Sequence, residues 1–155
     1  MADYPIIFTL VHDLRFEEGA ARVVTRGRAL MVFEEGEWWC HGVEPGGLTA
    51  HGADPAAAYV AFKTAYGGIL DDLAQDAKDF AAFEKAVGRF VHDKDEAEAE
   101  RWERARSEIR VGKNVDEPFN ALQRIVTEFE ASVTVQVLRV FGAPGGETIG
   151  LAEAA

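Results

Sequence analysis

The sequence predicts an α+β fold: an antiparallel sheet with one packed helix, then a helical extension and a final strand. Three observations carry this. Short β-branched and aromatic runs over residues 5–51 are separated by turn signals. Asp54-Pro55 then opens a segment whose apolar residues recur at helical spacing. After further helical segments, a valine-rich run returns at 132–141.

The elements follow in order. Residues 5–11 (Pro-Ile-Ile-Phe-Thr-Leu-Val) read as a strand. Residues 21–33 give one long strand with a kink or two strands with a turn, because Gly27 permits either. Glu35-Gly36 turns the chain into a strand at 37–43, and Glu44-Pro45-Gly46-Gly47 into a short one at 48–51. Asp54 is a good N-cap and Pro55 a good first helical residue. Tyr59, Phe62, Tyr66, Ile69, Leu70 and Leu73 make one apolar face of the helix 55–74. Gly67-Gly68 inside it implies a bend or the close approach of another backbone.

A second helix starts at Asp79, with Phe80, Phe83, Val87 and Phe90 on one face. Asp95-x-x-Glu98 has capping-box spacing and starts a third, about 96–110. That helix is mostly Glu and Arg, with Trp102, Ile109 and alanines to bury, and reads as a solvated surface helix. Asp116 caps a fourth helix carrying Phe119, Leu122, Ile125, Val126 and Phe129. The strand 132–141 should rejoin the sheet, since Val133, Val135 and Val137 share a face that needs cover. The chain therefore divides into a sheet-and-helix unit at 1–76 and an extension at 77–155.

Composition narrows the function classes. The chain has 155 residues, 48% hydrophobic and 28% charged, which suits a folded domain rather than disorder. Its formal net charge of −11 repels phosphate backbones and suits a basic partner. The single cysteine, Cys40, excludes an intrachain disulfide. Every apolar run falls short of the roughly 18 residues a membrane helix needs. The expectation is a soluble, cytoplasmic protein with no membrane contact.

No motif announces chemistry. There is no His-Glu-x-x-His, no Cys-x-x-Cys and no Gly-x-Ser-x-Gly. The Gly142–Thr148 stretch lacks the lysine and the following helix of a phosphate loop. Asp71-Asp72 point about 100° apart on a helix and read as solvated surface. His41 and His51 flank the Pro45–Gly47 turn and should face each other across a hairpin. They are the one candidate pair of metal ligands, but a site needs three or four, and Cys40 points to the other face. The expectation is therefore ordinary strand histidines, with no metal and no cofactor. Trp38 and Trp39 place one indole on each face of the sheet. With Phe33 they are the candidate residues for a partner or dimer interface.

The stretch from the Glu34-Glu35-Gly36-Glu37 turn through the aromatic strand to Gly47-Leu48-Thr49-Ala50-His51-Gly52-Ala53-Asp54-Pro55-Ala56-Ala57-Ala58 resembles the HicB antitoxin family. The resemblance covers residues 22–74. Gly52, Asp54-Pro55 and Ala58 fit it, while Pro45 sits one residue early, so the family's Pro-Gly falls on Gly46-Gly47. It implies a partial ribonuclease-H-like βββα unit in a non-catalytic, dimerising protein that sequesters a small basic RNA-cleaving toxin. Family members usually add a DNA-binding segment. The acidic region after residue 76 offers no recognition helix and no ribbon-helix-helix order, which argues against DNA binding here. The alternative from another class is a small hydrolase. It would use a histidine and carboxylate pocket between sheet and helices, drawing on His12, His41 and His51.

Overall fold

The computed structural model describes residues 3–16, 19–110 and 129–140. Their order is β1 (Asp3–Phe16), β2 (Gly19–Glu34), β3 (Glu37–Glu44), β4 (Thr49–Gly52), α1 (Pro55–Asp76), α2 (Phe80–Val91), α3 (Glu96–Arg110) and β5 (Ser132–Val140). The fold is α+β, as the sequence predicts. The expected helix from Asp116 and the segment after Gly142 lie outside the described residues.

The sheet is antiparallel and ordered β1-β2-β3-β4, with β5 also on β2. β2 is the long central strand. One side pairs with β1 along its length, from Gly19–Phe16 to Val32–Asp3. The other side is shared end to end: residues 28–34 pair with β3 and residues 19–26 with β5. The final strand thus rejoins the sheet as the valine pattern requires. Of the two readings of residues 21–33, the single kinked strand is correct. A register shift falls between Arg28 and Ala29 in the β3 ladder. Beside it, Gly27 leaves room that any Cβ would take from the Phe8 ring and the Glu44 carbonyl.

Alternation sorts side chains onto two faces. Tyr4, Ile6, Phe8, Leu10 and Leu14 of β1 join Val23, Met31 and Cys40 on the first face. α1 covers that face with Ala58, Phe62, Tyr66, Leu70 and Ala74. Asp54 caps the helix, its Oδ1 accepting from the Ala57 N–H at 2.7 Å. α2 adds Phe83, Val87 and Val91 to the same core, and Asp79 caps it likewise at 2.8 Å. Val133 and Val135 of β5 pack against this cluster.

Two expectations are corrected by α3. It is not only a solvated surface helix: Ala99, Trp102 and Ala105 are buried on Leu30, Val32 and Val43 of the second sheet face. The reason lies in β2, where Ala29, Leu30, Met31 and Val32 are all buried, so both faces need cover. One tryptophan and two alanines supply it. The capping box is also only half formed. Asp95 Oδ1 accepts from the Glu98 N–H at 3.0 Å, but the Asp95 N–H is taken by the Val43 carbonyl at 2.9 Å. Glu98 turns instead to Arg101, 3.2 Å away.

Of the glycine pair in α1, Gly67 is explained by a side chain rather than a backbone, and nothing in the structure explains Gly68. A Cβ on Gly67 would stand 2.9 Å from His12 Cε1, whereas a Cβ on Gly68 would meet nothing.

Candidate functional site

Three places gather polar or aromatic side chains. The first is the second face of the β3–β4 hairpin. Trp38 and Trp39 do lie on opposite faces, packed against different clusters. Trp38 lies against Tyr4 and Phe33, with ring centroids 6.0 and 5.6 Å away. It therefore belongs to the rim of the main core, with Phe33 against its ring. Trp39 is partly exposed on the other face. His41, two residues along the strand, is 5.8 Å from its ring with the planes 8° apart. His51, its partner across the ladder, is 4.7 Å away. His41 and His51 thus share a face but do not stand opposite each other as expected: the ladder pairs His41 with Thr49 and His51 with Trp39, and both imidazoles pack on Trp39. Their polar neighbours differ: Glu37 Oε2 lies 3.1 Å from His51 Nδ1, and Thr49 Oγ1 lies 3.4 Å from His41 Nδ1. Among the described residues no group of three or more His, Cys, Asp or Glu is placed to hold a metal ion. Cys40 is buried on the opposite face, and that burial pushes its thiol up to about 12.

The second place is a shallow groove along α1, lined by His12, Val60, Lys63, Thr64, Gly67, Gly68 and Asp71. His12 Nε2 lies 2.9 Å from Asp71 Oδ1. The ring of His12 meets the edge of Tyr66 at 6.4 Å, and the Tyr66 hydroxyl is hydrogen-bonded to the fully buried Thr25. Asp71 is thus more than solvated surface, and Gly67 is the sequence signal for this pair: a glycine inside a helix marks the imidazole resting on it. His12 is on the first sheet face, His41 and His51 on the second, so the three histidines do not form one constellation.

The third place centres on Arg28, which is only 8% exposed. Its guanidinium carbon lies 5.0 Å from the Trp102 ring centroid and 5.2 Å from that of Phe129. Glu44 and Glu103 stand 3.6 and 3.5 Å from its terminal nitrogens. Glu44 also faces His92 at 3.8 Å. The Gly46 N–H donates to the Asp93 carbonyl at 2.7 Å, tying the α2–α3 connection to the β3–β4 turn beside this arginine. An arginine in a strand otherwise running into apolar residues is the only sequence signal for this site.

No protein-family profile, no curated protein and no solved structure matches the chain. No helix among the described residues is long and apolar enough to cross a membrane.

Proposed function

We propose that this chain is a non-catalytic, HicB-like binding protein that captures a small basic protein on the Trp39 face, with an RNA-cleaving toxin as the kind of partner the resemblance implies. One observation carries the reading. A partly exposed indole is framed by His41 and His51, with Glu37 on His51 and Glu34 opposite Glu37 across the ladder. An aromatic anchor inside a polar rim is the usual anatomy of a protein-binding patch. The acidic border and the net charge of −11 select for a basic partner. A homodimer built through residues 29–51 belongs to the same proposal, because that hairpin also carries the short edge strand β4.

The test is co-expression with the product of the neighbouring reading frame. A small basic protein that co-purifies with this chain, is neutralised by it, and is released by Trp39→Ala supports the proposal. A neighbour that neither binds nor is neutralised refutes it.

A second reading, a small hydrolase, draws on the His12–Asp71 pair beside Lys63 and Thr64. Hydrolysis of an ester or phosphoester by the purified chain that is lost in His12→Gln would favour it over the binding role.

A further inference from the structure

We propose that the groove floored by Arg28 binds a small carboxylate. The groove has a volume of about 510 Å³ and is lined by Arg28, Lys94, Glu96, Ala99, Glu100, Glu103 and Arg104. That volume is in the range of small-molecule sites.

A guanidinium carries five N–H donors, and burying them without acceptors is costly. The Arg28 Nε–H is buried and has no acceptor among the described residues. Among the described residues, the two terminal nitrogens have Glu44 at 3.6 Å and Glu103 at 3.5 Å as their carboxylates. Charge-assisted hydrogen bonds are shorter, about 2.7–2.9 Å. For comparison, Arg22 grips Asp13 in this same protein at 2.7 and 2.9 Å through two parallel bonds. Arg28 is therefore a buried fork whose acceptors stand off.

The two rings limit how the fork can be reached. Trp102 and Phe129 occupy its neighbourhood as ring contacts, so a ligand must meet the N–H edge in the guanidinium plane. A planar carboxylate fits that edge with two parallel bonds. Arg104 lines the same groove and supplies a cation for further oxygens, as does Lys94, which stands 3.6 Å from Glu96. Glu103 can yield its place, because its other oxygen already lies 3.2 Å from Arg106. In the lining, Glu96, Glu100 and Glu103 match Arg28, Lys94 and Arg104, and Glu44 beside Arg28 adds a fourth acid. Recognition thus rests on the geometry of the fork rather than on long-range attraction.

The experiment follows the arginine Nε–Hε resonances of the full ¹⁵N-labelled chain by NMR. Sodium succinate is titrated against sodium chloride at equal ionic strength, with sodium phosphate as a separate arm. The Arg28 resonance is assigned by its contacts to the Trp102 ring and by its loss in Arg28→Lys. The expected result is a saturable shift of that resonance with succinate in the millimolar range. In Lys94→Ser/Arg104→Ser, two substitutions on the groove rim, the affinity should fall about tenfold. No saturable shift, an equal response to chloride, a response to phosphate alone, or an unchanged affinity in the double variant would each overturn the proposal.

Discussion

The Trp102 indole donates its Nε1–H to the Ile6 carbonyl oxygen at 3.2 Å. This bond joins α3 to β1 across most of the sequence and explains how one tryptophan holds a helix otherwise made of Glu, Arg and Ala. Arg101 adds a polar clamp beside it, with 3.1 and 3.3 Å bonds to Asp3. Trp102→Phe keeps most of the apolar area but leaves a carbonyl without its donor. It should destabilise the chain by about 1–3 kcal/mol. Trp102→Ala should cost about 3–5 kcal/mol, because a cavity opens on Leu30, Val32 and Val43. Urea unfolding followed by circular dichroism measures both, and an unchanged stability in Trp102→Phe would mean the bond to Ile6 contributes nothing.

The adjacent glycines of α1 should respond in opposite directions. Gly68→Ala meets open space and improves helix propensity, so it should stabilise by about 0.5–1 kcal/mol. Gly67→Ala places its Cβ 2.9 Å from His12 Cε1, closer than such contacts normally come. It should be destabilising and should break the His12–Asp71 contact, visible as displaced His12 ring resonances by NMR. His12→Ala combined with Gly67→Ala should recover part of the loss, since the clash then has no partner.

What could be read from the sequence was what is encoded locally. Asp54-Pro55 and Asp79 announce their helices because the cap acceptor, the first-turn N–H and the proline lie within a few residues of one another. The valines of β5 identify a strand and the face it buries. The side of the sheet on which α3 packs is not local. Its only clue was the unbroken apolar run Ala29–Phe33, where alternation would have given a solvent face. His12 on Gly67, and Arg28 beside Trp102 and Phe129, join residues far apart in the chain, and no spacing rule brings them together. At the hairpin, alternation placed His41, His51 and Trp39 on one face. It could not say that the indole would be the ring both histidines pack against.

Alkaline pH should destabilise the protein in two steps. Burial pushes the Cys40 thiol up to about 12. Burial also pushes the Tyr66 hydroxyl up to about 12, with the Thr25 hydrogen bond opposing. In an unfolded chain these groups titrate near about 8.5 and 10. The folded state therefore holds protons that the unfolded state has already released. Stability from this source is complete below about pH 8.5 and is lost as pH rises toward 12, by up to roughly 1.4 kcal/mol per pH unit for each group. Cys40→Ala should flatten the decline between about pH 9 and 10, and Tyr66→Phe the steeper decline above it. Unfolding free energies measured across this range decide the matter. A wild-type curve as flat as that of the double variant would contradict the assignment.

The two neighbouring tryptophans should separate folding from binding. Trp38 is wedged between Tyr4 and Phe33 at the rim of the main core, so Trp38→Ala removes packing from the fold itself. The expected cost is about 3 kcal/mol, with any loss of association following from loss of structure. Trp39 contributes less to the interior, since its contacts are His41, His51 and the border of the α3 cluster. Trp39→Ala should cost less stability than Trp38→Ala, because the Trp39 indole packs on the smaller cluster, yet abolish capture of a basic partner. If the same face holds two copies together, light scattering should fall from about twice the 17.0 kDa chain mass to that of one chain. His51→Gln provides the finer control. It removes the contact with Glu37, 3.1 Å away, while leaving the indole in place, so it should weaken binding less than Trp39→Ala does. If Trp38→Ala impairs binding while the fold stays intact and Trp39→Ala has no effect, the partner sits on the α1 side of the sheet and the proposed face is wrong.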